Sequence, residues 1–357
     1  MNLHDTYREL EQDARDYADA GRALAVLRRR RAARTGAGAV LAAVAIAGGF
    51  GLRHGLTSSS GDTIAAIPTT ATATAEPAPP AALPAAGPIG RGAAVYAACR
   101  TGCPTLLDLV DGRKYTLGTG TVYPPGNITL SPDGRWLGVP TAGGYELRDL
   151  LSDVTHRIPV PPIGSAMSGY SPWAWSDDSA RLILGYHADG DVSTYTEVDL
   201  TTGRTAAMRV PPGHEPVGIL PSGEVILLDE TQYGERPRTE VRLRTGATET
   251  TFRATGTGVL SDADHGLWVQ VSRSRIFLLE YTRDQVAVLE FDPAGRLTSR
   301  TPLPEGRYAV GPTPYGYAVL QVPLNQRTGR QQLMSDGRVI HEFPGEAEIV
   351  IPGGARH

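Results

Sequence analysis

From about residue 89 onward, short apolar runs alternate with tight polar turns, the rhythm of strands rather than of helices. The clearest unit is Ser131-Pro132-Asp133-Gly134-Arg135-Trp136-Leu137. One apolar run (128–130) enters this turn and another (136–139) leaves it. Pro132 presets φ, while Asp133 and Gly134 tolerate the left-handed backbone that a tight reversal needs. The unit returns at Trp175-Ser176-Asp177-Asp178-Ser179-Ala180-Arg181-Leu182-Ile183 and at Leu220-Pro221-Ser222-Gly223-Glu224-Val225-Ile226. A weaker copy is Leu260-Ser261-Asp262-Ala263-Asp264-His265-Gly266-Leu267-Trp268. The offsets are 45, 44 and 41 residues, a period that marks the blades of a propeller. A second turn recurs beside the first: Asp111-Gly112-Arg113, Thr202-Gly203-Arg204, Ala294-Gly295-Arg296 and Asp336-Gly337-Arg338.

Each blade should hold four antiparallel strands, A at the axis and D at the rim. Blade two reads as 127–130, 135–140, 145–149 and 155–160; blade three spans 173–210, blade four 216–252, blade five 257–303 and blade six 309–343. Blade one has strands at 93–98, 105–109 and 114–117 but no inner strand. The run Glu346-Ala347-Glu348-Ile349-Val350-Ile351 near the C-terminal end is expected to supply it, closing the ring and removing exposed edges. The pattern therefore predicts an all-β, six-bladed propeller of four-stranded antiparallel blades over 89–357.

The first 88 residues read differently. Residues 35–52 carry no charge, and as a helix they would span about 27 Å, close to a bilayer's hydrocarbon thickness. Arg28, Arg29, Arg30, Arg31 and Arg34 precede this run, and only Arg53 and His54 follow it closely, so the N-terminus belongs in the cytoplasm and the propeller outside. Two other readings compete: a cleaved export signal with Ala45-Ile46-Ala47 as its small-x-small site, or a merely buried helix. Residues 1–34 form a basic amphipathic helix on this reading, continuing into the transmembrane helix. Leu3, Tyr7, Leu10, Ala14, Tyr17, Gly21 and Leu24 share one stripe of it. That stripe either lies on the inner membrane face or docks a cytoplasmic partner. Residues 53–88, rich in Ala, Thr and Pro, read as a disordered linker.

Composition narrows the function. Charged residues make up 20% of the chain and the net charge is −4, so no strong field invites nucleic acid. Lys114 is the only lysine among 34 basic residues. The two cysteines, Cys99 and Cys103, enclose three residues between adjacent strands; the spacing suits a disulfide, with two free thiols or a redox or metal role as alternatives. No HExxH run, nucleophile elbow or metal-ligand spacing occurs, and Asp262 and Asp264 read as turn residues. His187 and His265 have no partner nearby in sequence. No cofactor and no enzymatic activity are expected. What remains is surface: Tyr123, Tyr170, Trp173, Arg307 and Tyr308 fall near the loops that enter the blades, and aromatics with arginine favour protein-binding hot spots.

The Ser131–Leu137 turn and its partner at 175–183 resemble the repeats of TolB-type and WD40-like propellers. The order of basic helix, apolar run, Pro-rich linker and propeller is similar to membrane-anchored propeller proteins of high-GC Gram-positive bacteria. The resemblance implies a scaffold that binds a protein, peptide or wall ligand outside the cell. The alternative is a transmembrane regulator in the manner of an anti-sigma protein. Its propeller would act as the sensor, and Leu3, Tyr7, Leu10, Tyr17 and Leu24 would hold a cytoplasmic partner.

Overall fold

The computed structural model describes residues 79–353, with breaks at 100–101, 118–126, 142, 160–168, 189–190, 234–235, 263–265, 305–306, 314–315, 322–328, 336–337 and 346. For residues 188, 191–193, 307–313 and 316–321 it describes the backbone alone. The expected cytoplasmic helix (1–34), transmembrane helix (35–52) and most of the linker (53–88) lie outside the described residues. Among those described, no helix is long and apolar enough to cross a membrane.

Over the described residues the chain is an all-β propeller. Five sheets are four-stranded and antiparallel. The first to form along the chain is β5 (Thr129–Leu130), β6 (Trp136–Thr141), β7 (Gly144–Asp149) and β8 (Thr155–Pro159). The next is β9 (Gly169–Trp175), β10 (Arg181–Ala188), β11 (Asp191–Asp199) and β12 (Thr205–Met208). Then follow β13 (His214–Ile219), β14 (Val225–Asp229), β15 (Glu240–Thr245) and β16 (Thr248–Arg253). A fourth holds β17 (Val269–Ser272), β18 (Arg275–Tyr281), β19 (Val286–Phe291) and β20 (Leu297–Leu303). The last holds β21 (Arg307–Thr313), β22 (Gly316–Gln321), β23 (Arg330–Ser335) and β24 (Arg338–Pro344).

The remaining sheet corrects the sequence reading, for the four-stranded antiparallel blades number five and not six. It is five-stranded and mixed, in the order β1 (Ala81–Ala82), β4 (Lys114–Thr116), β3 (Thr105–Leu109), β2 (Gly92–Ala97) and β25 (Glu348–Val350). The closure by the C-terminal run is present: Val95 pairs with Val350 and Tyr96 with Ile349, antiparallel. The extra strand comes from the stretch read as linker, Ala81 and Ala82 pairing parallel with Tyr115 and Thr116. Two alanines bring no bulk, so this short strand can cover a rim edge without a core of its own.

Burial explains the strand chemistry. In the second strands the runs 182–186 of β10 and 276–279 of β18 are apolar and buried, because a neighbouring sheet covers each face. The rim strands β8 and β20 are mostly exposed and carry Thr155, Arg157, Thr298 and Arg300, the polar dressing that blunts an open edge. Separate apolar clusters fill the seams between sheets: Trp136, Tyr145, Tyr170 and Tyr186 in one, Trp173, Ile183, Tyr195 and Ile219 in the next, Phe252 and Phe291 in a third.

The closing seam carries polar chemistry as well. Tyr96 packs edge-on against Phe343, with ring centroids 5.2 Å apart. Asp108, 1% exposed, accepts from Lys114 Nζ and from His341 Nε2, each at 2.8 Å. The sole lysine thus neutralises a buried carboxylate, and His341 ties it to the last sheet. The buried Gln331 side chain donates to the carbonyls of Gly345 (3.0 Å) and Ala347 (2.8 Å), holding the turn that leads into β25.

Candidate functional site

The recurring turns gather on one face and bond to one another. Ser131 Oγ and Ser176 Oγ bridge their reversals identically, each 2.6 Å from the carboxylate two residues on (Asp133, Asp178) and each accepting a backbone N–H at 2.8 Å (Trp136, Arg181). Gly134 takes the left-handed conformation at φ 69°, and Ser179 takes it at φ 58° in the equivalent place. Neighbouring turns are then linked. The Gly92 N–H donates to Gly134 O at 2.7 Å, the Asp133 N–H to Ser179 Oγ at 3.1 Å, and Arg181 Nη1 to Gly223 O at 3.1 Å. Asp177 reaches past the intervening sheet to accept from Ser272 Oγ (2.7 Å) and from the Arg273 N–H. The motif that dominates the sequence is therefore spent on joining sheets.

The fourth copy of that motif is misplaced in the sequence reading. Residues 260–268 do not form the first turn of their sheet; they precede β17, and Ser261 bridges back to Arg238. The actual turn is Arg273-Ser274, between the paired Ser272 and Arg275, with φ of 49° and 57°. Two positive φ values are what a two-residue hairpin of this hand needs, and their occurrence at Arg and Ser hides the turn from a search for Gly or Asn. Asp262 accordingly is no member of that turn, and Asp264 lies outside the described residues.

The second turn family has a cause that the D/T-G-R pattern does not show. A carboxylate at the end of the third strand accepts from the N–H two residues on: Asp149 from Leu151 (2.9 Å), Asp199 from Thr201 (2.8 Å), Asp292 from Ala294 (3.1 Å). Burial pushes Asp149 up, but the hydrogen bonds from Arg135 (2.6 Å), Ser152 (2.7 Å) and Leu151 outweigh it and hold its carboxyl below the ordinary value. Glu280, fully buried, is pushed up by desolvation and pulled further down by Thr255 and Arg300. A depressed folded-state pKa contributes stability above the unfolded value, and that stability is lost as pH falls through the folded one. Thermal stability should therefore drop as pH falls below about 4. Asp149→Asn should cost about 2 kcal/mol at pH 7 and visibly flatten that acid limb in melts taken from pH 7 to 2. An unchanged limb would refute the assignment.

The opposite face holds, among the described residues, the sheet-joining connections 209–213 and 254–262 and the second-to-third-strand connections 230–233 and 282–285. Cys99 and Cys103 form a disulfide there, with Cα atoms 5.6 Å apart. Tyr170 and Trp173 do not offer their rings to this face. Both sit on β9, 5% and 9% exposed; Tyr170 packs edge-on against Tyr186 at 5.2 Å and Trp173 against Tyr195 at 5.4 Å, in two different seams. Burial also raises the Tyr170 phenol. Arg307 and Tyr308 are on β21, with their backbones alone described; Tyr123 and the stripe Leu3, Tyr7, Leu10, Tyr17 and Leu24 lie outside the described residues.

One reactive pair escaped the sequence reading. Ser171 Oγ lies 2.6 Å from His187 Nε2, the spacing of a nucleophile and its base. The residues are sixteen positions apart and meet only because β9 and β10 pair. Ser171 is 1% exposed, so its hydroxyl is closed to a substrate and the pair works as a cross-strand tie. Among the described residues no group of three or more His, Cys, Asp or Glu side chains is placed to hold a metal ion.

No protein-family model matches the chain, and no curated protein matches it. Solved structures of similar fold include TolB from Acinetobacter baumannii, at 18% identity and TM-score 0.41, covering 74% of this chain and 65% of that one. The putative TolB from Agrobacterium tumefaciens is similar at 13% identity and TM-score 0.34, over 59% of this chain and 90% of that one. Porphyromonas gingivalis dipeptidyl peptidase 4 is similar at 12% identity and TM-score 0.35, over 68% of this chain and 44% of that one. The chain thus spans just under two thirds of the first and less than half of the third.

Proposed function

We propose that this chain is a non-enzymatic, single-pass membrane protein that presents its propeller outside the cell as a scaffold for a protein, peptide or wall ligand. The observation that carries the reading is how the chain enters the propeller. The chain enters the propeller at Ile89 and Gly90, whose N–H groups both donate to Leu150 O, so the sheets are joined to the preceding segment at one fixed attachment. That suits a leash. The uncharged run 35–52 behind five arginines supplies the anchor, and the Ala/Thr/Pro-rich stretch supplies reach. The ordered polar groups described above join turns and seams, which suits a scaffold better than a reacting centre. The cysteine disulfide suits an oxidising compartment.

The test is affinity capture from crosslinked membranes, with the full-length chain set against one lacking residues 2–27, which keeps the arginines of the 28–34 cluster. Recovery of the same exported partners by both supports the scaffold. A cytoplasmic protein captured by the first and lost from the second replaces it with the regulator reading, in which Leu3, Tyr7, Leu10, Tyr17 and Leu24 form the contact. Recovery of the full-length chain from the soluble fraction overturns both.

A further inference from the structure

Arg148 is a buried cation, 8% exposed, and among the described residues it forms no ion pair with a carboxylate. Its guanidinium instead donates to two main-chain carbonyls of one segment, Pro84 and Gly87, the latter at 3.0 Å. The same segment makes the parallel pairing of β1 with β4, and its Leu83 N–H donates to Thr116 O at 2.9 Å. Leu83 packs against the cluster of Ile89, Val95, Leu107 and Leu130. The Gly87 N–H donates to the Asp153 carboxylate. Nearly all of this is main-chain recognition, for residues 79–82, 84–86 and 88 are exposed and Leu83 is the one aliphatic side chain they seat. Beyond them the chain changes character: Ile89 is 4% exposed, and both it and Gly90 bond to Leu150 O. Gly87 and Gly90, at φ 89° and 115°, stand where the exposed segment meets that fixed one.

A segment whose own residues are mostly exposed, held by a two-residue strand pairing, the Arg148 bonds and one partly buried side chain, opens below the free energy of global unfolding. Its departure leaves three things unmet together: the β4 edge, the Leu83 seat and the Arg148 donors. We infer that this rim groove is a docking site for an extended peptide, and that residues 79–88 are its removable occupant in cis. The partner it fits adds a parallel strand to β4 with two small residues and seats one aliphatic side chain next. It then turns two carbonyls, three residues apart, toward the guanidinium of Arg148. An Arg reads such a pair through its fixed fork, which Lys cannot reproduce. The groove is separate from the loop face and does not depend on the membrane anchor.

The test uses the full chain and a labelled synthetic peptide of residues 79–88 with blocked ends. Hydrogen exchange should show the amides of Leu83 and Gly87 opening well ahead of those in β10 and β18. Leu83→Ser should loosen the strap, with circular dichroism confirming that the propeller stays folded. The peptide should then bind this variant at least tenfold more tightly than the unaltered protein, whose groove is occupied. Arg148→Lys in the Leu83→Ser background should lose that gain, since it keeps the charge but not the fork. Strap amides as protected as the core would overturn the inference. So would equal binding of the peptide to both proteins, or no binding to a folded Leu83→Ser variant whose strap amides exchange fast.

Discussion

A chain ended after Gly345 loses its cooperative thermal transition or melts at least 10 °C lower, and its soluble yield falls. The truncation removes β25, the inner strand of the mixed sheet, and with it the buried side chains of Ala347 and Ile351. It also removes the bond from the Gly353 N–H to Leu130 O, which ties the end of the chain to the next sheet at 3.0 Å. The lost burial and hydrogen bonds come to about 5 kcal/mol or more, comparable with the whole stability of an ordinary domain. The exposed flank of β2 then becomes an unpaired inner edge, open to pairing with another chain. Gln331→Ala is the graded control: it keeps the strand and loses the latch on the turn before it, for about 1–2 kcal/mol. The measurement is a melting curve with light scattering. A single transition within about 2 °C of the full chain would mean that the ring does not depend on this strand.

Gly134→Val destabilises by about 3 kcal/mol or more, a fall of roughly 6–10 °C in melting temperature. Two effects add. The residue sits at φ 69°, where a β-branched side chain is strained, and a Cβ built there would stand 2.3 Å from Gly92 O. That oxygen belongs to backbone which is itself bonded to Gly134 O through the Gly92 N–H, so it has no room to retreat. The equivalent Ser179 makes the contrast. It bears the same backbone conformation, and its hydroxyl accepts the Asp133 N–H. Ser179→Gly relieves the strain and loses that bond, leaving stability within about 1 kcal/mol of the parent. If both substitutions cost the same, the packing of Gly134 against Gly92 is not what selects glycine.

The repeat was legible because its causes are local. A Ser that bridges its own reversal and an Asp two residues later need only the chain around them, so they recur at a period visible in one dimension. The fourth repeat was misread for the same reason: residues 260–268 carry the turn-forming letters, while Arg273 and Ser274 carry the turn. Pairing between β17 and β18 supplies the energy that holds two ordinary residues at positive φ. No local preference announces it.

The candidate surface was less legible than the fold. Tyr170 and Trp173 look like loop aromatics when β9 is taken to begin at 173, but the strand begins at Gly169 and both rings are drawn inward. A period of two says that the rings alternate; it does not say that both faces of a strand are covered. In a propeller both faces are, because each sheet has a neighbour on either side. Ser171 and His187 were invisible as a pair, since a register shift between Ile183 and Leu184 helps decide what lies opposite.

Local chemistry, readable residue by residue, is enough to set strands and tight turns at a period in the forties. The closing role of the C-terminal run followed from the missing strand in the first sheet. The fifth strand that this sheet takes from the supposed linker, the aromatics that fill seams and the strap held by Arg148 emerge only once the sheets are packed together. Each of these depends on contacts between residues far apart in the chain, whose energy comes from burial and from main-chain groups that every residue carries alike. Such groups leave no letter in the sequence.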